Sequence, residues 1–582
     1  LNRAPRATLP GDRELSVVNP ARSTPGVPKP IDGAWARLRG FLAEEEWRFA
    51  PHEQPALPGS PGSPAHPAHR RTAYAAIAVL VGLTGGLGNA LVAANTTVLQ
   101  GALGLDPTQI AWLPVVYVMT NVSINLLLIK FRQQFGLRPF ALLFVGAYAL
   151  LTLGHLFARD FWSAIAVRAA SGMAGAALSS LCLYYAMQAL PAKWRLKAIV
   201  LGIGIPQCAT PLARLFSPEL LAMSQWRTLY LFELGLSLLS LAAVAALPLP
   251  PTQRQRAFER LDFVSFTLFA GGLGLIAAVL GLGRIVWWTE ARWIGWSLVA
   301  AIPMLVAGFG IEHGRARPLI NTRWLGSADI LRFAIVTTMA RIVLGEQSYA
   351  AIGLLTTLGQ SNDQLTGFYL VLLAASVAGV AASAITIDPN RLTHPVMLSI
   401  ALVAVAALVD AQSTSLTRAG QLYLTQAVIA FSATFFLGPA LLFGMTRALQ
   451  AGSGHIITFM ALFGIVNSLG TLGGTAMLGT YQTIREKAHS AALVQAIDPT
   501  DPLVTQRLQA GGSAVARVVG DPALRTAESG ALLAQAATRE ANVLAYDDVF
   551  RLIAALAAAT SLYLLFLLVR RARRARRAGL AA

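Results

Sequence analysis

Six ionisable side chains stand in otherwise apolar stretches of the chain: Arg168, Arg214, Glu233, Arg341, Glu346 and Asp410. In hydrocarbon, such a side chain costs roughly 2.5–3.5 kcal/mol by insertion measurements. Each must therefore have a partner, reach water, or do chemistry. The chemistry open to a carboxylate there is proton uptake and release. An arginine sets the proton affinity of a neighbouring acid or attracts an anion.

Arg168 stands about seven residues into its apolar run, Glu233 about six into its own, and Arg214 about eight from the end of another. At about 1.5 Å of rise per residue, all three lie roughly 9–12 Å below the same membrane face. An Arg–Glu pair or an Arg–Glu–Arg cluster fits this depth. Glu233 then either exchanges a proton as an arginine moves away, or stays in a permanent ion pair that pins helices together. Arg341 and Glu346 share one run five residues apart, about 140° around a helix. They cannot pair with each other, so at least one faces a cavity or another helix. Asp410 lies near the end of its run and is expected to stretch to water. The uncharged Asn89, Asn95, Asn121, Asn125, Gln207, Gln426 and Asn467 occupy further runs. Some bond helix to helix; others line a solute path.

Other chemistry finds no support in the residues. Cys182 and Cys208 both fall in apolar runs and make no metal motif. Neither a nucleophile motif nor a phosphate-cradling loop is present, so no enzyme activity, metal or cofactor is expected. The net charge of +18 invites a nucleic-acid reading. The positives sit at the ends of apolar runs, where cytoplasmic loops of membrane proteins carry them, and this excludes it.

The elements that position these side chains are membrane helices. Hydrophobic residues make up 55% of the chain and charged ones 13%, against about 25% charged in soluble proteins. Fourteen apolar runs, each near the roughly 20 residues that cross a bilayer, fall at 72–100, 109–129, 139–158, 161–189, 198–222, 227–249, 263–283, 294–312, 332–356, 365–387, 395–413, 420–445, 456–480 and 548–569. Every second gap is basic: Lys130, Arg132 and Arg138; Lys193, Arg195 and Lys197; Arg254, Arg256 and Arg260; Arg315, Arg317 and Arg323; Arg391; and Arg447. Both termini are therefore expected in the cytoplasm. Residues 1–71 are rich in Pro, Gly, Ala and Arg and are expected to stay disordered, with an amphipathic surface helix over 34–49 as the alternative. No cleavable signal peptide is expected, since the first apolar run begins near residue 72. The gap 481–547 reads as two helices broken by "DPTDP", a small element on the outer face.

Four segments carry a resemblance. "RAASGMAGAA" (168–177) is similar to an Arg-x-x-Gln-Gly-x-Gly motif, and "WRTLYLFELGLSLL" (226–239) to a Trp-Arg approach to span six. "ALVAANTTVLQGALGLDPTQIAWLPVVYVM" (90–119) resembles a span one to span two passage, and "REANVLAYDDVFR" (539–551) the end of a long outer loop. Together, over about 72–569, they resemble the fourteen-span drug:proton antiporters of the major facilitator superfamily, the EmrB/QacA type. The chain departs from that pattern in three places. The loop after span two has Ile129, Gln133 and Gln134 where the family has Gly, Asp and Arg, so its inner-gate lock lacks its acid. Span five has "ATPLARLFS" (209–217) in place of Gly-Pro-x-x-Gly-Gly. Span one has Leu87-Gly88 in place of Leu-Asp, while Glu233 stands where an Asn is common.

The resemblance implies an all-α polytopic protein of major facilitator fold. Spans over 72–249 and 332–569 form two six-helix bundles, 263–312 is an inserted pair, 481–547 is a periplasmic helical loop, and 570–582 is a basic cytoplasmic tail. Spans one, four, nine and twelve would line a midplane cavity that opens to alternate sides. The implied function is proton-driven export of small organic compounds from a bacterial inner membrane. Glu346 is the first candidate for the proton carrier and Glu233 the second, with Arg168, Arg341 and Arg214 as their partners. Asn89, Asn95, Gln207 and Gln426 fall toward the substrate path. Export without proton coupling, uniport, or work with a periplasmic adaptor protein are the alternatives.

Overall fold

The computed structural model describes residues 49–50, 53–55 and 59–579, except 225, 317 and 453. Residues 34–48 of the expected surface helix fall outside these. The described chain is helical throughout, with no strand.

Helix α1 (Ala68–Ala94) breaks at Asn95 and resumes as the short α2 (Thr96–Leu103), which Gly104 ends at φ 61°. Helix α3 (Pro107–Phe135) begins at Asp106, whose carboxylate accepts from the backbone N–H of Thr108 and Gln109 at 2.8 and 2.7 Å. This satisfies donors that the first turn leaves open. After α4 (Leu137–His155), α5 (Phe161–Ala189) is capped in the same way by Asp160. The fifth run is α6 (Arg195–Gly204), a tight turn at Ile205–Cys208, and α7 (Ala209–Ser224). Pro206, which lacks an N–H, sits in that turn. Then come α8 (Arg227–Ala246), α9 (Arg260–Leu282), α10 (Arg292–His313) and the short α11 (Thr322–Leu325).

Among the described residues, thirteen helices are long and apolar enough to cross a membrane. The ninth expected span is the exception. Helix α12 (Ala328–Val343) stops, the chain turns through Leu344 and Gly345, and a wide turn at Gln347–Ala351 leads into α13 (Ile352–Thr357). Such wide turns inside helices are frequent at functional sites. The rest are α14 (Thr366–Thr386), α15 (Thr393–Asp410), α16 (Ala419–Ala451), α17 (His455–Ala496), α18 (Pro502–Val515) and α19 (Pro522–Gly579). The helices expected in the long gap are thus continuations of α17 and α19, with α18 packed on α19.

Helices α1, α3, α4, α5 and α8 pack mainly on one another, as do α12, α14, α15, α16, α17 and α19. The two sets meet where α6 and α7 lie against α14, α6 against α16, and α3 against α17; α9 touches both α3 and α17. Close approach needs small residues. A Cβ on Gly204 would stand 2.6 Å from Val380, and one on Gly438 would stand 2.7 Å from Val200.

Residues 59–62, within the stretch expected to stay disordered, are buried. Gly62 donates to Pro251 O at 3.2 Å, and the Gln188 amide donates to Gly62 O at 2.8 Å. This strap, rich in Pro and Gly, satisfies its backbone on the bundle rather than within a helix.

Candidate functional site

Two buried polar clusters hold most of the flagged residues. The first lies among α1, α3, α4, α5 and α8. Arg168, fully buried, donates to Gly88 O at 2.9 Å, to Asn89 Oδ1 at 2.7 Å and to Leu113 O at 3.4 Å, with its guanidinium 4.6 Å from the centre of the Tyr117 ring. Glu233, also buried, accepts from the Tyr148 hydroxyl at 2.5 Å, with the Thr152 hydroxyl nearby. Both groups converge on Gly88. A Cβ there would fall on the Tyr148 hydroxyl and 2.9 Å from Glu233 Oε1. Gly88 is therefore the residue whose missing side chain makes room for the acid carried by α8. No ion pair joins Arg168 to Glu233 among the described residues.

Arg214 is not part of this cluster, against expectation. It reaches from α7 across to Asn362 Oδ1 at 3.3 Å and the Tyr369 hydroxyl at 3.4 Å. Equal depth does not fix the direction in which a side chain points, and α7 turns this one toward α14. Asn95 sits at the break between α1 and α2, donating to Leu91 O at 2.8 Å and Ser217 Oγ at 2.7 Å. Gln207 is half-buried in the turn between α6 and α7.

The second cluster lies where α12 stops. Glu346, at the turn, accepts from Gln426 Nε2 at 2.9 Å, and the same amide nitrogen donates to Asp410 Oδ2 at 2.8 Å. Glu346 and Gln426 are fully buried and Asp410 is 2% exposed. The expectation that Asp410 reaches water is therefore corrected. It ends α15 facing inward, and Ser413 donates to its backbone oxygen at 2.8 Å. Gln347 donates to Gln426 O at 3.0 Å and fixes the α16 backbone at this point. The hydrogen count is short. Glu346 Oε2 and Gln426 Oε1 are buried without a partner and Asp410 has only the nearby Thr425 hydroxyl besides the amide, while the amide has only two N–H groups to give. Arg341 turns away from this set to donate to Thr471 Oγ1 on α17 at 2.9 Å, with its Nε unpartnered.

A charge network also gathers around Arg315 and Asp262. Lys130 meets Asp262 at 2.7 Å. Arg315 meets Asp262 at 2.8 Å, Glu312 at 2.7 Å and Glu259 at 2.7 Å. Burial would weaken the proton affinity of Arg315, but the bonds to Glu259, Glu312 and Asp262 overrule it and raise it. These contacts tie α3 to α9 and α10. The Gln134 side chain accepts from the backbone N–H of Phe258 at 3.0 Å beside them. The sign of the missed acids was legible: Asp262 and Glu312 stand at the ends of apolar runs that flank basic gaps.

Three crevices open elsewhere. A groove of about 810 Å³, lined by Ala78, Leu83, Leu201 and Val377 among others, runs between α1, α6 and α14. One of about 340 Å³ lies among α12, α15, α16 and α19. A third follows the end of α19. None is lined by Arg168, Arg341 or Glu346.

The helix order and packing match solved structures. The human organic anion transporter MFSD10 (TETRAN) superposes with a TM-score of 0.50 at 16% identity, over 85% of this chain and 100% of that one. A bacterial homologue of the human drug peptide transporters PepT1 and PepT2 gives 0.50 at 12%, over 86% and 99%. The fold is that of the major facilitator superfamily. In sequence, a multidrug transporter of that superfamily, mfsC from Aspergillus fumigatus, is 24% identical over 228 residues, which is 38% of this chain and 43% of the relative. The chain thus spans less than half of the curated relative it matches. No family model matches it. It has that fold at low sequence identity, and its many long apolar helices make it a multi-pass membrane protein.

Proposed function

We propose that this chain is a secondary transporter that exports small organic compounds in exchange for protons, with Glu346, Asp410 and Gln426 as the proton site. The observation that carries this reading is the shortfall of hydrogens around two buried carboxylates that share one amide. One proton on either acid supplies the missing donor, and its loss leaves two carboxylates facing each other in a dry interior. Such a pair has two states that differ in charge, as a coupled cycle requires. The broken ninth span puts Glu346, one member of the pair, at the point best able to change shape, since Gly345 and the wide turn separate α12 from α13.

Rocking of the 72–249 bundle against the 332–569 bundle is the proposed means of alternating access. The Arg168–Asn89–Glu233 cluster is a second candidate titratable site in this proposal. In this proposal the protein works in a bacterial inner membrane, with both ends in the cytoplasm.

Everted membrane vesicles test the reading with fluorescein as an anionic probe and ethidium as a cationic one. Uptake of at least one should follow an imposed pH gradient and collapse with a protonophore. Glu346→Gln and Asp410→Asn should each remove the gradient dependence. Full gradient-driven uptake in both variants would place the coupling elsewhere.

A further inference from the structure

The crevice of about 340 Å³ among α12, α15, α16 and α19 has an apolar floor that includes Phe333, Phe436, Ala440 and Leu564. Its rim carries Arg332, Arg447, Arg570, Arg571 and Arg574, against one acid, Asp329. That acid is already engaged by Arg332 at 3.4 Å and Arg447 at 3.6 Å. Among the described residues, Arg570, Arg571 and Arg574 have no carboxylate partner. Arg447 lies over the Phe443 ring at 5.7 Å and lines the opening.

A cationic rim over an apolar floor suits an amphiphile with an anionic head. The outer surface of α19 extends the argument. Leu562, Leu565, Phe566 and Val569 are 64%, 45%, 57% and 41% exposed. They form a groove that ends on Arg570, Arg573, Arg574 and Arg577. Arg570 and Arg574 line both depressions. An apolar strip on the surface of a membrane helix therefore runs into the arginine cluster without a break. We infer that this end of α19 binds an anionic phospholipid, its phosphate held by Arg447, Arg570, Arg571 and Arg574 and an acyl chain lying along Leu562 and Phe566. Guanidinium forks match phosphate oxygens in pairs, and basic pockets between membrane helices are recognition sites for acidic headgroups. A small organic anion would use the rim alone and make no contact along the apolar strip. The inference does not depend on the transport proposal.

The test is native mass spectrometry of the purified full chain, with dioleoyl phosphatidylglycerol against dioleoyl phosphatidylcholine. Phosphatidylglycerol should be retained selectively. Arg447→Gln and Arg571→Gln should each weaken retention about fivefold, and the Lys variants, which keep the charge but lose the fork, should fall between these and the wild type. Arg576→Gln changes an arginine that lines neither depression and should leave retention unchanged. Arg571 is exposed, so its variants should fold even if those of Arg447 do not. Equal loss in Arg576→Gln would reveal only diffuse attraction by the basic tail and overturn the site. Equal retention of the two lipids would overturn it as well. Displacement by glycerol phosphate at concentrations that match phosphatidylglycerol would assign the rim to free anions and overturn the lipid.

Discussion

Replacing Gln426 by Leu removes the one group that donates to both Glu346 and Asp410. Two hydrogen bonds, of 2.9 and 2.8 Å, are lost at once. A hydrogen bond to a charged group contributes about 1.5–3 kcal/mol, so with both acids ionised the loss is about 3–6 kcal/mol. The two carboxylates are too deeply buried for water to compensate. A proton on either one restores a donor, because a carboxylic acid can bond the carboxylate beside it. The destabilisation should therefore be large at pH 8 and shrink to about 1–2 kcal/mol at pH 5. Adding Glu346→Gln should recover part of the loss at pH 8, since the new amide brings its own donors. The assay is thermal unfolding in lipid nanodiscs at both pH values, read as a double-mutant cycle. Equal losses at pH 8 and pH 5, or strict additivity of the two substitutions, would refute the shared-proton reasoning.

Three further outcomes follow from the other clusters. Asp262→Asn leaves Lys130 and Arg315 short of a buried counter-charge and should cost about 3–5 kcal/mol; Lys130→Met with Asp262→Leu should cost clearly less, and an equal cost would show that packing rather than charge decides. Gly88→Ala should disrupt the Tyr148–Glu233 bond and lower the unfolding temperature, with partial rescue by Tyr148→Phe; absence of rescue would place the clash elsewhere. His66, which bonds Gln188 Oε1 at 2.9 Å, is held below its usual 6.5 by burial, then by Arg70 and Arg71, with the Gln188 bond opposing. A histidine lowered in the docked state binds its proton better once released, so the docked strap is favoured above pH 6.5 and loses ground below it. Amide exchange of Gly62 and Ser63, corrected for intrinsic rates, should quicken below that pH in the wild type and not in His66→Gln; the same response in both would clear His66.

The sequence disclosed what depends on composition and periodicity. Long apolar runs became helices, and four of the six side chains flagged for their cost in lipid, Arg168, Glu233, Glu346 and Asp410, are buried. Contacts that depend on azimuth were not legible. Arg214 shares a depth with Glu233 but points to α14, because nothing in one sequence fixes the rotation of α7 about its axis. Asp410 was assigned to water by its position at the end of α15, yet α15 packs against α16 and α19 and encloses it. The angle between Arg341 and Glu346 assumed one continuous helix. The break at Gly345 removes that assumption, and a glycine beside a buried acid was the available sign. The strap at 59–62 was hidden because its bonds go to Pro251 and Gln188, far away in the chain.

The most direct measurement is infrared difference spectroscopy of the purified protein across a pH titration. A carboxylic-acid carbonyl band should vanish in Glu346→Gln and in Asp410→Asn alike, and shift in Gln426→Leu, because one proton is shared within the amide-bridged pair. Spectra in which all three variants overlay the wild type would show that these acids hold no exchangeable proton and would contradict the account.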